Sequence, residues 1–349
     1  MSLPSSFRKI VVNQLTTDFR KATSIVTKPL PKPNAHQLLI KNRYVGINAS
    51  DINWTAGRYF PVKSLPIDIG FEAVGEIAAV GSSCEGFAPG SPVAYMGGAA
   101  FGEYCILPAK QVIPLPDLRP EYVPLLVSGL TASIALEKVG EIKSGETVLV
   151  TAAAGGTGNL AVQLAKLQGC HVIGTCSSNK KVEFLKSIGC DRVINYKEED
   201  TNKILKENYP RGIDVVYESC GGDLFEISLN RLAVHGRLIV IGFINHYSAQ
   251  DGFKAMRTSP IPAKILNKSA SVRGFFLNNF IPLWREHGTK LAGLILGGEL
   301  KSCVDLGEKS PVGPFRGLES IPDAVDYLYS RKSVGKIVVD LQNTTSSKL

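Results

Sequence analysis

Residues 146–181, ETVLVTAAAGGTGNLAVQLAKLQGCHVIGTCSSNKK, constrain the fold more than any other stretch of this chain. A β-rich run from Thr147 to Thr151 meets a small, glycine-bearing turn, Ala152-Ala153-Ala154-Gly155-Gly156-Thr157-Gly158. Apolar residues at helical spacing follow (Leu160, Ala161, Leu164, Ala165), Gly169 stops the helix, and a second strand runs from His171 to Thr175. Strand, tight turn, helix and strand make one βαβ unit. Its turn brings backbone N–H groups and a helix N-terminus to face an anion, which suits a pyrophosphate. Ala152 stands where the first glycine of a GxGxxG pattern would be, and such turns also serve plain strand-to-helix packing. The context is nevertheless complete, with a strand before, a helix after and a second strand about twenty residues on. The segment is read as a dinucleotide site that includes Gly155, Gly156, Thr157 and Gly158.

The end of the second strand bears on which dinucleotide. An NAD site carries Asp or Glu there, bonded to the ribose 2′-hydroxyl. Here the strand runs into Thr175-Cys176-Ser177-Ser178-Asn179-Lys180-Lys181, with no acid before Glu183. A carboxylate would repel a 2′-phosphate, whereas a serine hydroxyl and a lysine ammonium would bind it. The expected cofactor is NADP(H). Lys180 and Lys181 are also what a solvated helix start looks like.

Around this unit the chain divides in two. At 349 residues it is too long for one ordinary core. The first 120 or so residues show short β-rich runs broken by Gly and Pro, a pattern of a small, barrel-like β domain. Strands then alternate with helical segments, at about 147–151, 171–175, 192–195, 213–217, 237–242 and 271–276. That is an α/β pattern, a six-stranded parallel, doubly wound (Rossmann) sheet beside a β-barrel domain. The expected boundaries are 1–125 with 284–349 for the β-rich catalytic domain and 126–283 for the nucleotide domain. A long polar loop, Asn245 to Lys268, separates the last two strands and has the length of a functional cover.

Composition narrows the classes. No apolar run approaches the ~18 residues of a membrane span, so no membrane partner is expected. Seven cysteines, with no CxxC pair, suggest neither a disulfide frame nor a zinc cluster. Lys and Arg exceed Asp and Glu by 39 to 31 without a basic block, which suits anionic small molecules and gives no sign of nucleic-acid binding. The last three residues, Ser347-Lys348-Leu349, are the tripeptide read by the peroxisomal import receptor, so a peroxisomal location is expected.

Further motifs carry a resemblance. GINASD (46–51), IDIGFEAVGE (67–76), LLVSGLTA (125–132), VLVTAAAGGTG (148–158), DVVYESCGG (214–222) and GRLIVIGFI (236–244) together resemble the medium-chain dehydrogenase/reductase superfamily over nearly the whole chain. The likeness is to its zinc-free quinone oxidoreductase and enoyl reductase branch, with a GroES-like catalytic domain. Zinc-dependent relatives carry Cys and His where this chain has Asn48 and Phe71, and a site that needs three protein donors does not survive the loss of two. No metal is expected.

The resemblance implies NADPH as hydride donor and an α,β-unsaturated ketone, of the 15-oxo-prostaglandin or other lipid type, as acceptor. A quinone reductase and an NADPH-binding protein with little turnover are the alternatives, and a homodimer is implied. Carried over by position, Thr157, Ser177, Lys181 and Tyr196 would contact the phosphates and adenosine. Ser219, Ile241, Tyr247, Phe275, Phe276, Leu277 and Ser333 would line the rest of the cofactor. Tyr59 stands where enoyl reductases of the superfamily place an acid tyrosine, as a proton donor or as a residue that packs the cleft wall. Asn48 is the second catalytic candidate, holding substrate or nicotinamide, or else stabilising a turn. Arg58, Arg257 and Lys264 are candidates to meet a fatty-acid-like carboxylate, and His246 is the one histidine in a plausible loop.

Overall fold

The computed structural model describes residues 3–249 and 260–342, so Arg257 and Ser347-Lys348-Leu349 lie outside the described residues. The chain forms two compact units, Ser128–Cys303 and Met1–Val127 with Val304–Leu349.

In the first of these, six strands make one sheet: β1 (Thr147–Val150), β2 (His171–Cys176), β3 (Arg192–Asn195), β4 (Ile213–Glu218), β5 (Leu232–Val240) and β6 (Ser271–Gly274). Their order is β3-β2-β1-β4-β5-β6, all parallel, so every carboxyl end lies along one edge. Val148, Leu149 and Val150 are all but fully buried, as a strand covered on both faces demands. Leu149, Ile173, Ile194, Val216 and Leu238 form a core cluster with Leu205, Phe225 and Leu229 from the crossover helices. The chain leaves β3 at one edge and re-enters beside β1 as β4. The carboxyl ends of β1 and β4 are therefore the topological switch point, where such sheets bind ligands. β5 begins at Leu232, earlier than its apolar run suggested, and its register against β4 shifts between Ile213 and Val215.

The other unit is β-rich. A seven-stranded sheet contains Gln37–Gly46, Glu72–Val80 and Pro92–Met96, and a three-stranded sheet is built on Ser6–Val12. The last strand, Lys336–Asp340, pairs antiparallel with Gln37–Gly46, Val338 opposite Gly46.

Two expectations need correction. The Trp284–Leu296 helix clusters with the nucleotide unit, and the return comes at Val304 instead of 284. His287, 1% exposed, shares a 2.7 Å hydrogen bond from its Nδ1 with Ser133 Oγ, which fixes this helix on the Val127–Ile134 helix. Second, Pro120–Val139 is one helical stretch of 20 residues, long and apolar enough by length and composition to cross a membrane. Ser128, Thr131 and Ser133 break the apolar run in sequence, and 78% of its most apolar 18-residue window is buried within the protein, as in a core helix. Part of the expected 245–268 loop is also helical, Ile261–Leu266.

The glycine-bearing turn shows why its residues differ. A Cβ on Gly158 would stand 2.5 Å from Ala152 O and 2.9 Å from Ala153 Cα, so the helix approaches the turn too closely for any side chain. Ala152, at φ +48°, holds the left-handed conformation that glycine would adopt freely. Gly158→Ala is expected to lower stability by about 1–3 kcal/mol. Ala152→Gly is expected to raise it by about 1 kcal/mol. Urea unfolding of both variants checks the pair.

Candidate active site

At the carboxyl edge of the parallel sheet, the Gly156–Leu167 helix starts from Gly155 with no side-chain cap. Its first-turn N–H groups are thus left for a ligand, and the close approach at Gly158 keeps the turn free of side chains. Thr157 Oγ1 is held inward, donating to Ser128 O at 3.0 Å and sharing a 2.6 Å bond with the buried Tyr217 hydroxyl. At the end of β2, Ser177 is 9% exposed and Lys181 half-buried, and Tyr196 follows β3 with its N–H on Cys176 O at 3.1 Å. These groups fit a dinucleotide with a 2′-phosphate: a bare, donor-lined turn, then a hydroxyl and an ammonium.

Across the switch point, Ser219 N donates to Thr151 Oγ1 at 2.9 Å, and Ile241 N to Glu218 O at 2.7 Å. Glu218 was not singled out from the sequence, although an acid inside the apolar run DVVYE was a signal. Burial pushes its carboxyl up to about 7, while the N–H groups of Gly221 and Cys220 and the Thr151 hydroxyl hold it down. Tyr247 is buried, with its ring edge-on to Phe243. Phe275 is buried and stacks on Phe280 at 4.9 Å, whereas Phe276 is exposed and Leu277 half-buried. Ser333 lies in the other unit, in the turn before the last strand.

The β-rich unit holds a closed polar cluster. Lys336 Nζ lies 2.5 Å from Glu72 Oε1, their side chains 3% and 0% exposed. Lys336 also donates to Asn48 Oδ1 at 2.6 Å, and Asn48 Nδ2 donates to Glu72 Oε1 at 2.9 Å. Glu72 Oε2 accepts from Val127 N at 2.8 Å. Gly46 makes room for this, since a Cβ there would stand 2.4 Å from Glu72 Oε1. The Asn48 amide is thereby committed to protein partners at both ends. Lys336 carried no sequence signal, because its partner Asn48 is 288 residues away.

Beside the cluster, Asp51 is wholly buried. Its Oδ2 accepts from Asn48 N at 2.8 Å, and its Oδ1 has no hydrogen-bond partner. Burial raises the carboxyl to about 8, against the Asn48 N–H and the Lys336 charge, so it is largely protonated at neutral pH.

On the same short helix and the turn after it, Tyr59 keeps 37% of its surface exposed. Asn53 Nδ2 donates to Tyr59 OH at 3.2 Å, and Arg58 Nη1 donates to Asn53 Oδ1 at 3.1 Å. Burial around the hydroxyl raises the phenol above its ordinary value, while hydrogen bonds with Asn53 and Ser50 draw it back. Arg58 is thus tied to Asn53. Lys264 is paired with Glu226, which takes up the charge expected to meet a carboxylate. His246 packs beside Gly221 and Gly222, its Nε2 buried without a partner. Glu137, Glu286 and His287 also converge, but Lys138 and Lys290, each 2.8 Å from Glu137, already supply the positive charge there.

Asp51 gives a pH prediction. Its folded pKa lies above the unfolded value near ~4, so the native state binds the extra proton, and stability falls as pH rises from about 4 to about 8. Asp51→Asn keeps the acceptor for Asn48 N and should flatten that fall. Thermal unfolding of both proteins at about pH 5, 6.5 and 8 measures it.

Comparison with known proteins places this geometry. Residues 34–117 match the alcohol dehydrogenase GroES-like domain, and residues 156–292 the zinc-binding dehydrogenase family. Prostaglandin reductase-3 of Bos taurus is 51% identical over 350 residues, covering 100% of this chain and 93% of its own length. A probable quinone oxidoreductase of Leishmania amazonensis is 44% identical over 346 residues, 98% of this chain and 100% of its own. The crystal structure of Escherichia coli quinone oxidoreductase complexed with NADPH superposes with a TM-score of 0.82 at 28% identity, over 96% of this chain and 100% of that one. The zinc of the family description does not fit the donors present here. Asn48 is bonded inward at both ends of its amide, Phe71 offers a ring that packs edge-on to Trp54, and Glu72 is neutralised by Lys336. By sequence over its full length and by fold, the chain belongs to the medium-chain dehydrogenase/reductase family, in its quinone oxidoreductase branch, and is an oxidoreductase that uses NADP(H).

Proposed function

We propose that the protein reduces the carbon–carbon double bond of α,β-unsaturated ketones, with lipid enones of the 15-oxo-prostaglandin type as the first candidates, and that Tyr59 donates the proton. The observation that carries this reading is the phenol itself. Tyr59 is the acid of its segment that stays exposed, while Asp51, Glu72 and Lys336 are sealed inward.

Bound NADPH supplies a hydride to the β-carbon of such a substrate. Negative charge then moves to the carbonyl oxygen as an enolate, which is far less basic than an alkoxide. Hydrogen bonds suffice to stabilise it, where reduction of a ketone to an alcohol favours a Lewis acid. A phenol of raised pKa stays protonated at neutral pH and so holds the proton that the α-carbon needs. The Gly155–Gly158 turn would take the pyrophosphate, with Ser177, Lys181 and Tyr196 at the 2′-phosphate and adenosine. The relatives named as a reductase of prostaglandins and as a quinone oxidoreductase support reduction of a conjugated carbonyl.

A quinone is the second acceptor to test, because the Leishmania relative carries that name. Anaerobic NADPH consumption is measured with a 15-oxo-prostaglandin, a simple enone and a quinone. A saturated ketone product with turnover above the quinone's supports the proposal, and turnover confined to the quinone refutes it. Tyr59→Phe should lower enone turnover at least about tenfold and leave NADPH affinity unchanged. Lys181→Ala should weaken NADPH about tenfold and leave NADH alone, as titration by cofactor fluorescence would report.

A further inference from the structure

Behind the glycine turn, one asparagine holds the two peptide units that carry donors for a ligand. Asn159 is wholly buried, and its Nδ2 donates to Gly155 O at 2.7 Å and to Gly156 O at 2.9 Å. Backbone carbonyls only accept, so the NH2 end of the amide must face them. Its neighbour agrees. Gln163 Oε1 accepts from Lys301 N at 2.8 Å and Gln163 Nε2 donates to Lys301 O at 3.0 Å, which leaves that NH2 3.5 Å from Asn159 Oδ1. A trans peptide points its C=O and its N–H in opposite directions. The two pinned carbonyls belong to the peptides whose N–H groups are those of Gly156 and Thr157. Both N–H groups therefore face away from Asn159, in the first turn of a helix that no side chain caps. The Thr157 hydroxyl is committed elsewhere. It donates to Ser128 O, and a hydroxyl has one proton, so in its 2.6 Å bond to Tyr217 the phenol is the donor. Thr157 thus offers a ligand its N–H and not its hydroxyl.

We infer that Asn159 is a positioning residue for the cofactor, which fixes and polarises the Gly156 and Thr157 N–H groups that receive the pyrophosphate. This rests on the reading of the Gly155–Gly158 turn as the pyrophosphate site. A donor on a peptide oxygen draws electron density toward it and makes the N–H of the same peptide a stronger donor. The gain is greatest when the acceptor is an anion, because such a bond is charge-assisted. The carbonyls are pinned before any ligand arrives, so the donors stand oriented and less ordering is lost on binding. Asn159 touches no atom of the cofactor in this scheme. Its effect falls on the diphosphate, which NADPH and NADH share, and leaves the 2′-phosphate at Ser177 and Lys181 alone.

The test titrates the full-length protein with two probes. ADP-ribose carries the diphosphate without the 2′-phosphate, and adenosine 2′-monophosphate carries the reverse. Asn159→Ala removes both donors, whereas Asn159→Ser keeps one hydroxyl that can bond back to a carbonyl one turn earlier. Calorimetry should show ADP-ribose, NADPH and NADH weakened alike, about tenfold in Asn159→Ala and about threefold in Asn159→Ser, with adenosine 2′-monophosphate unchanged. A role in folding alone would lower the unfolding temperature and leave the ADP-ribose affinity of the folded protein as it was. If Asn159→Ala fails to fold, Asn159→Ser decides. The amide resonances of Gly156 and Thr157, followed in wild-type protein with isotope-labelled glycine and threonine, should shift when ADP-ribose is added. With that shift present, wild-type ADP-ribose affinity in a folded variant would overturn this inference alone. An equal loss of adenosine 2′-monophosphate would overturn it too, as the mark of a site disturbed as a whole. Amides that stay unmoved while ADP-ribose binds would place the diphosphate elsewhere, and the reading of the turn would fall together with this inference.

Discussion

A lysine and a glutamate, both almost wholly withdrawn from water, hold the catalytic unit together. Lys336 begins the last strand and Glu72 begins another strand of the same sheet, and their charges meet at 2.5 Å. Burying two ions carries a desolvation penalty that is offset only when geometry is good and the remaining polar atoms are satisfied. Here they are, because Asn48 bonds to both partners and Val127 N caps the second carboxylate oxygen. Removing one partner of such a pair leaves an uncompensated buried charge, a loss of about 3–5 kcal/mol in comparable cases. The pair thereby joins segments from the start, middle and end of the chain.

That interaction also decides what the site can do. Here the carboxylate faces a fixed internal ammonium and the asparagine faces both. Charge that would otherwise act on a substrate is spent on the fold. Asp51 next to it is kept largely protonated at neutral pH by its burial. At the surface of this segment stands the neutral phenol of Tyr59, with the half-buried Arg58 beside it. Such a group suits a reaction whose charge builds up as a weakly basic enolate.

How much of this could be read beforehand follows the range of each signal. The strands and the glycine turn of the nucleotide unit were legible because apolar runs and turn residues are local. The loss of zinc ligands was legible from the identities of Asn48 and Phe71. Lys336 was not, since nothing near it in sequence tells of Asn48 and Glu72. The end of the nucleotide unit was misplaced for a related reason: the amphipathic pattern of Trp284–Leu296 shows an apolar face without showing which partner covers it. Asn159 stood in plain view after the glycine turn, but which way its amide faces depends on Gln163 and the distant Lys301 backbone, and no spacing rule conveys that.

The most direct measurement follows the hydride itself. The saturated or reduced product would be analysed after turnover of an enone with NADPH that carries deuterium at the transferred position, in ordinary water. This account predicts deuterium on the β-carbon, a solvent-derived hydrogen on the α-carbon and an intact ketone. Deuterium on the carbonyl carbon, giving an allylic alcohol, would contradict it.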